Sequence, residues 1–328
     1  MLAFIVRRVS YGVVTVFGVL FFLFILFFTV TDPDDIARKA VGERATPEVY
    51  EQWKKNKGYD KPLFFNSEHG LISVGRYTDT LLVDHYTRML TFQFGQSDAD
   101  DTPISKRIRE GAGPSLMLTV PLFISGMIVA IVVSLFVSFF RETYIDSMAL
   151  VLCMLAMSIT ILLYIIGGQF LIGKVLHWFP ISGFDPDPSI VYKFLLLPIL
   201  VGLVNGIGAD VRFYRTVFVE ETMKDYVRTA RAKGAGEIRV MGNHVLRNAM
   251  IPILTQIVVA IPFLFTGSLL LESFFGIPGL GSITIEAINS NDFATLRTMV
   301  FIGALLFVTG QILTDISYTL ADPRIRLE

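Results

Sequence analysis

The stretch DYVRTARAKGAGEIRVMGNHVLRNAMIP, residues Asp225–Pro252, is the most informative part of this chain, and we call it the basic segment. It lies between two apolar runs, each long enough to enter a lipid bilayer. Cations clustered between two spans are expected to stay in water on the cytoplasmic side. The alanines and glycines leave space for another protein to pack closely. We therefore expect a membrane protein that works with a separate cytoplasmic partner.

The composition places the chain among membrane proteins. It has 328 residues, of which 53% are hydrophobic and 17% are charged, and 28 are Phe. Soluble domains carry roughly 25% charged residues. The net charge of -1 argues against nucleic-acid binding, which favours a basic excess. The single Cys153 excludes an intrachain disulfide and a cysteine-based zinc site.

Six apolar runs approach the length of about 20 residues that a helix needs to cross the hydrocarbon core. The predicted spans are residues 9–30, 115–140, 147–173, 192–211, 249–271 and 298–317. The first run is too long for a signal peptide and lacks a small-residue cleavage site, so we interpret it as a retained span. The sequence thus predicts an all-α membrane protein with about six transmembrane helices, residues 1–328 forming a single subunit.

The cations in short loops predict the orientation. They occur before span one, between spans two and three, in the loop 212–248 and after span six. With six spans, these four regions lie on one side, so both termini are expected to be cytoplasmic. The regions 31–114 and 272–297 are then external. Region 31–114 is rich in aromatic residues, and we expect a small folded cap with helices at Glu48–Asn56, capped by Thr46, and at Val83–Phe92.

The basic segment has the pattern of a helix, a turn and a second helix. Lys224–Ala232 consists of good helix formers, Gly234 and Gly236 break the helix, and Glu237–Leu246 resumes it. From these residues alone, an ordinary loop whose cations only fix the topology is an equally good interpretation.

The basic segment also resembles the EAA loop of bacterial ABC-importer permeases, in the form typical of the peptide and nickel branch. The matching residues are Tyr226–Gly234 and His244–Ala249. The general motif has Glu-Ala-Ala where this chain has Arg228, Thr229 and Ala230, a departure that is usual in the peptide branch. Further stretches resemble the same branch, namely Phe4–Arg8, Gly58–Leu63, Phe94–Ser97, Glu272–Gly281 and Asp315–Ile325. Phe65–Asp84 looks like an insertion relative to shorter relatives.

The resemblance implies a type I ABC importer permease fold in a bacterial inner membrane, in contact with membrane lipid. It also implies a second homologous permease, two cytoplasmic ATPases and an extracytoplasmic substrate-binding protein as partners. The chain would move di- or oligopeptides or related small solutes by alternating access. The residues expected to contact an ATPase are Arg228, Ala230, Arg231, Ala232, Lys233 and Gly234, with Ala230 and Gly234 providing close packing.

A possible external gate lies at Phe274, Phe275, Ile277 and Pro278. An aromatic anchor at the membrane interface, followed by a tight turn, is an equally good interpretation of these residues. In span four, Gly202 and Gly206 form a G-x-x-x-G pattern that permits close helix contact.

No catalytic, metal or cofactor site is expected in this chain. Gly168–Lys174 matches most of a P-loop, but Val175 follows where Ser or Thr would hold magnesium, and no strand precedes it. ATP and magnesium are therefore expected in partner subunits. The four His residues show no metal-ligand spacing.

The alternative function is that of a self-contained secondary transporter or channel. Carboxylates at mid-span and an internal repeat would favour it, and neither is evident. Asp210 and Asp315 lie near predicted cytoplasmic ends, where an ion pair with Arg212 or Arg215 is the simplest expectation. A membrane scaffold without transport activity is a weaker third hypothesis.

Overall fold

A computed structural model describes residues 2–30, 36–38, 41–42, 45–65 and 79–321. These residues are almost entirely helical, with one isolated β-bridge between Gln96 and Pro103. The helices are α1 (Leu2–Phe24), α2 (Pro47–Lys57), α3 (Leu81–Leu90), α4 (Ile104–Phe139), α5 (Tyr144–Ser158), α6 (Ile161–Gly168), α7 (Val191–Thr222), α8 (Asp225–Ala232), α9 (Glu237–Arg239), α10 (Arg247–Thr266), α11 (Leu269–Phe275), α12 (Leu280–Asn289) and α13 (Phe293–Ala321). Single π-helical turns extend α1 to Val30 and α6 to Val175, and another joins α9 to α10. The predicted all-α class is confirmed.

Five helical stretches within the described residues are long and apolar enough to cross a membrane, or up to seven spans if two broken helix pairs each count as one. The five are Val6–Thr29, Ile104–Phe139, Val191–Thr222, Glu237–Thr266 and Phe293–Ile316. The predicted number of about six lies inside this interval. The third apolar run, residues 147–173, is not straight, because Ile159 and Thr160 are extended and α5 meets the Ile161–Val175 helix at 90°.

The chain divides into two compact units. The first comprises Met1–Ala112 and Leu280–Ile312. Its core joins α1 and α3 to the start of α13, with Leu20, Phe24 and Phe301 almost fully buried. The burial of apolar side chains from both α1 and α3 explains why α3 is stable outside a membrane span.

Two helices of the external region are close to their predicted positions. Helix α2 begins at Pro47, which suits the first helical position, but the side chain of Thr46 makes no capping hydrogen bond. Helix α3 begins two residues before the predicted start, and the Thr80 hydroxyl caps it by accepting a hydrogen bond from the Val83 amide at 3.4 Å. Of the suspected insertion Phe65–Asp84, residues 66–78 lie outside the described residues.

Two buried aspartates hold the loop after α3 to the start of α13. The Asp292 carboxylate accepts hydrogen bonds from the Ser97 hydroxyl at 2.6 Å and the Asp98 amide at 3.0 Å. It also caps α13, because the Thr295 amide and hydroxyl donate to it at 3.0 and 2.6 Å. In return the Ala294 amide donates to Asp98 at 2.9 Å. Burial raises the pKa of Asp98, and the nearby Arg297 opposes that shift.

The second unit comprises Gly113–Gly279 and Leu313–Glu328, with α7 packed against α5, α6 and α10. Two glycines allow close helix contacts. A Cβ on Gly202 would lie 2.8 Å from Leu122, and one on Gly208 would lie 2.8 Å from the Cys153 carbonyl. The close contact predicted for the G-x-x-x-G pattern therefore occurs at Gly202. At Gly206 the nearest atom to an added Cβ is Asp210 Oδ2 at 3.8 Å, and Gly208 makes the second close contact.

An ion pair joins α5 to α7. The Arg215 guanidinium donates two hydrogen bonds, both of 2.6 Å, to the Asp146 carboxylate, which is 6% exposed. The Glu142 amide adds a third at 3.2 Å. The expected partner of Arg212 or Arg215 was Asp210 or Asp315, whereas the structure pairs Arg215 with Asp146. This pair fixes α7 a few residues before the basic segment begins.

Candidate functional site

The basic segment is a short helix held against the chain's own core. Helix α8 follows α7 after a two-residue turn, and its Val227 and Ala230 side chains point inward at 0% and 8% exposure. They join a buried cluster with Phe218 of α7 and Val240 and Val245 of the following π-helical turn. Residues three apart share a helix face, so this pattern places the polar side chains of α8 outward.

Gly234 ends α8 in the left-handed conformation, with a φ of +82°. Its amide donates to the Arg231 carbonyl at 2.9 Å, and the Ala235 amide donates to the Ala230 carbonyl at 3.1 Å. These bonds satisfy carbonyls at the helix end, as in a glycine C-cap. No atom lies within 4 Å of where a Cβ would stand, so the backbone conformation, not a lack of space within this chain, favours glycine here.

An ion pair closes the turn between α8 and α9. The Arg231 guanidinium donates to both Glu237 carboxylate oxygens, at 2.8 and 3.1 Å. Both side chains are about half exposed, so the pair contributes little to stability, on the order of 1 kcal/mol or less. Its geometric effect is to orient the two helices that flank Gly234.

A further contact fixes the start of α8. The Tyr226 hydroxyl donates to the Glu221 carboxylate near the end of α7. Burial, followed by the adjacent Glu221 carboxylate, raises the pKa of Tyr226 to about 12, so the hydroxyl keeps its proton at neutral pH. The joint between α7 and α8 is therefore held by a hydrogen bond on one side and by the Val227 core contact on the other.

The six residues predicted to contact an ATPase occupy different environments. Arg228, Ala232, Lys233 and Gly234 are exposed, and the Arg228 side chain is 75% exposed with a distant 3.8 Å contact to Asp225. Arg231 is exposed but engaged with Glu237. Ala230 is buried against α7 and the π-helical turn, so its small size serves packing inside this chain. The other five residues are exposed along α8 and in the turn that follows it.

Sequence reasoning missed Ile238. This side chain is 82% exposed in α9, directly after the turn. The available signal was one apolar residue between two charged ones, Glu237 and Arg239, just before the buried Val240 and Met241 of the π-helical turn. An isoleucine this exposed adds an apolar side chain to the polar surface that follows the turn.

The loop Glu272–Gly281, suspected to hold a gate, is tightly held. Phe275 and Ile277 are buried in the core of the second unit, whereas Phe274 and Pro278 are exposed. Gly183 donates its amide to the Phe275 carbonyl at 2.7 Å. The Gln169 side chain donates to the Phe274 carbonyl at 3.0 Å. Of the four predicted gate residues, only Phe274 and Pro278 are available to line an opening.

A buried carboxylate, Glu272, fixes the start of this loop. It is 0% exposed and accepts hydrogen bonds from the Ser115 hydroxyl at 2.9 Å and the Ser268 amide at 3.0 Å. A Cβ on Gly279 would collide with this carboxylate, so glycine is required there by space. Sequence reasoning counted few charges near the membrane and did not identify Glu272.

The glycines of the near-P-loop pattern have packing roles. A Cβ on Gly168 would lie 2.5 Å from the Val201 side chain, and one on Gly173 would lie 2.9 Å from Ile181. Helix α6 and its π-helical extension surround them, and no phosphate-binding loop is formed.

Comparison with known proteins identifies the family. Residues 114–327 match the profile of the binding-protein-dependent transport system inner membrane component. The chain belongs to this family. Residues 1–111 match the profile of the N-terminal region of the corresponding membrane components. The resemblance seen in the basic segment is thus confirmed, and the chain is a multi-pass inner membrane permease of the ABC importer type.

Relatives extend along the whole chain. A protein of Brucella abortus (strain 2308) with the provisional name peptide transport system permease protein is 30% identical over 332 residues, covering 100% of both chains. The glutathione transport system permease protein GsiC of Escherichia coli (strain K12) is 28% identical over 331 residues, covering 99% of both. The permease therefore spans the full length of these relatives.

Proposed function

We propose that this permease forms part of the membrane pathway of an ATP-driven importer, and that it carries peptides or peptide-like solutes by alternating access. The family assignment supports the transport role. The names of the relatives, which refer to peptides and to glutathione, support the substrate class. The observation that carries the coupling hypothesis is the geometry of the basic segment, which combines a rigid inner side with an exposed outer side.

The side of α8 that faces the core explains how a force applied to α8 would reach the membrane. Val227 and Ala230 interlock with Phe218 of α7 and Val245 before α10. Helices α7 and α10 both belong to candidate spans. Because close-packed interiors deform little, a displacement of α8 would move both spans together.

The outer side defines the partner surface. Arg228 and Lys233 are exposed cations in α8 and at its end, and Ile238 is an exposed apolar side chain in α9, after the turn. The complementary surface is a groove with an apolar floor and acidic residues at its edge. We assign this groove to a cytoplasmic ATPase, which requires the basic segment and both chain termini to face the cytoplasm, as the charge distribution predicts.

The complete assembly in this proposal contains a second homologous permease, two ATPases and an extracytoplasmic binding protein. ATP and magnesium bind to the ATPases, and this permease holds neither. On the external side, Phe274 and Pro278 line the opening, while Glu272 and Phe275 hold the loop in place. The gate is therefore expected to move as a unit with α11.

Reconstitution tests this function. The permease and the products of neighbouring genes are placed in liposomes with the binding protein outside, and uptake of labelled di- and tripeptides and glutathione is measured. We expect uptake only with ATP inside and with the binding protein present. Uptake by the permease alone, without ATP, would instead support a secondary transporter or channel.

The coupling role is tested by a matched pair of charge reversals. Lys233→Glu changes the outward side of the turn, and Lys224→Glu makes the same change in an exposed residue at the other end of α8. We expect Lys233→Glu to lower transport-coupled ATP hydrolysis at least about tenfold, the loss of one charge-assisted contact. Lys224→Glu should remain within about twofold of wild type. Equal effects of both variants would contradict the assigned docking surface.

A further inference from the structure

Helix α3, which the sequence places in an external cap, lies beside two candidate membrane spans. The Tyr86 hydroxyl donates to the Phe17 carbonyl of α1 at 2.8 Å, and the centroids of the two rings are 5.5 Å apart. Phe17 lies in the middle of the candidate span Val6–Thr29. Just after α3, the Phe92 ring lies 6.3 Å from the ring of Phe301 in α13, centroid to centroid. Helix α3 therefore runs alongside the spans and does not stand above their ends.

The positions of these contacts along the spans give their depth. A helix rises about 1.5 Å per residue, so Phe17 lies about 18 Å from Thr29, and Phe301 lies about 12 Å from Phe293. The rings of Phe27 and Phe293 are 5.8 Å apart, so the two spans reach this side of the membrane at the same level. Each candidate span has 24 residues. Such a span is about 36 Å long and extends about 3 Å beyond each side of a hydrocarbon core of about 30 Å. Both contacts then lie inside the hydrocarbon, at depths of about 15 and 9 Å.

Two large apolar side chains at the end of α3 are exposed. Leu90 is 42% exposed, and Phe92 is 57% exposed. The Phe92 and Gln93 amides donate to the Met89 and Arg88 carbonyls at 3.2 and 2.9 Å, and Phe92 is left-handed with a φ of +58°. This is a Schellman helix end, in which the left-handed position is usually a glycine. A large aromatic residue that is strained at this position and half uncovered by its own chain indicates an apolar environment outside the chain.

The polar groups of α3 are compatible with this depth. Asp84 pairs with Arg88 at 2.8 Å, and both line a cavity of about 210 Å³, which has room for several water molecules. An Arg88 guanidinium nitrogen lies 3.1 Å from where a Cβ on Gly58 would stand, so the side chain reaches toward the end of α2. The Thr91 hydroxyl donates to the Thr87 carbonyl at 2.6 Å. Polar groups at membrane depth are tolerated where they bond internally or line a cavity that holds water.

We propose that Leu81–Phe94 is a re-entrant element that enters the hydrocarbon core from the side on which α1 ends, with Leu90 and Phe92 in contact with lipid acyl chains. The charge distribution predicts that this side is external. The depth selects lipid as the occupant, and the adjoining Phe17 of α1 is itself 45% exposed. Helix α2 differs, because it carries five charged residues among its 11 and has no buried residue, so it stays in water. The proposal concerns how the first unit sits in the membrane and does not rest on the proposed function.

Spin labels at single cysteines test this placement. Molecular oxygen concentrates in hydrocarbon and a water-soluble nickel chelate stays in water, so the ratio of collisions with the two probes reports the depth of a label. Cys153→Ala removes the native cysteine, and Leu90→Cys or Phe92→Cys is added to the full chain in liposomes. Val14→Cys is the lipid control, because Val14 is 69% exposed in the candidate span of α1. Gln52→Cys, exposed in α2, is the water control.

We expect the labels at Leu90 and Phe92 to collide with oxygen more than with the nickel chelate, as at Val14. The ratio should be reversed at Gln52. The collision ratio at Phe92 should correspond to a depth of about 9 Å in the hydrocarbon. Because Phe92→Cys could alter the turn, Leu90→Cys gives an independent measurement.

Two results would overturn the proposal. Nickel accessibility at Leu90 and Phe92 as high as at Gln52 would place α3 in water, within an external cap. Low accessibility to both probes would mean that protein covers the turn. The measurement is therefore repeated with the products of the neighbouring genes present, and loss of oxygen access only in that complex would identify a partner protein, and not lipid, as the occupant. Transport is not measured, so a failure of the proposed function would leave these results unchanged.

Discussion

Replacing Arg215 with leucine should destabilise the second unit strongly, because it leaves the Asp146 carboxylate buried without its main partner. The wild-type pair has two 2.6 Å bonds, and Asp146 is 6% exposed. Breaking a buried pair from one side costs about 3–5 kcal/mol. The Glu142 amide remains bonded to Asp146, and the charge of Arg141 also stabilises the carboxylate. We therefore expect the lower end, about 3 kcal/mol, or more than a hundredfold in the unfolding equilibrium.

A double-mutant cycle distinguishes a pair effect from general damage. Arg215→Leu, Asp146→Leu and the double variant are unfolded in mixed detergent, and the loss of helicity is followed. The double variant should recover to within about 1 kcal/mol of wild type, since replacing both members with apolar residues removes the desolvation cost. Arg212→Leu on the same helix is the control, because Arg212 is exposed. A loss below about 1 kcal/mol in Arg215→Leu, or no recovery in the double variant, would refute the reasoning.

Three further predictions concern buried polar groups and a close contact. Asp292→Asn should destabilise the first unit by about 2–3 kcal/mol in thermal unfolding. The new amide NH₂ would face the Ser97 hydroxyl and the Thr295 amide, which are donors that now bond to a carboxylate. Asn291→Asp is the control, because Asn291 is exposed, and it should have little effect. His85 is neutral in the folded protein because burial lowers its pKa to about 3, whereas in the unfolded chain its pKa is about 6.5. The free energy of unfolding should therefore fall as the pH drops below about 6.5, by roughly 2 kcal/mol at pH 5. A His85→Phe variant that retains the same pH dependence would contradict this prediction. Gly279→Ala should cost about 1–3 kcal/mol through collision with Glu272, whereas Gly126→Ala, with open space around it, should be neutral or slightly stabilising.

The apolar runs and the charge pattern predicted much of the architecture. An uncharged run of some 20 residues has few alternatives to a helix in a membrane protein, so α4, α7, α10 and α13 could be anticipated. The helix, turn and helix of the basic segment followed from helix formers interrupted by Gly234. These features depend on residues that are close together in the sequence, so hydrophobicity and helix propensity within a short stretch predict them.

The contacts that hold the site could not be predicted in the same way. Asp146 and Arg215 are separated by 69 residues, and Ser97 and Asp292 by 195, so no local pattern pairs them. The inward position of Ala230 depends on α7 covering one face of α8. The i, i+3 spacing of Val227 and Ala230 is the one local pattern that indicates it, because residues three apart share a helix face. The break at Ile159 and Thr160 falls in a run whose hydrophobicity is continuous, so composition does not reveal it.

Site-specific photocrosslinking from Ile238 tests the central claim, that the outward side of the basic segment docks on an ATPase. A photoreactive phenylalanine analogue replaces Ile238, which is 82% exposed, in the permease co-expressed with the neighbouring ATPases. The same analogue at Gln93, exposed in the first unit, is the control. We predict that Ile238 crosslinks to an ATPase subunit, that nucleotide changes the yield, and that Gln93 gives no such product. A fully assembled complex in which Ile238 yields no ATPase crosslink, or no more than Gln93 does, would contradict the account.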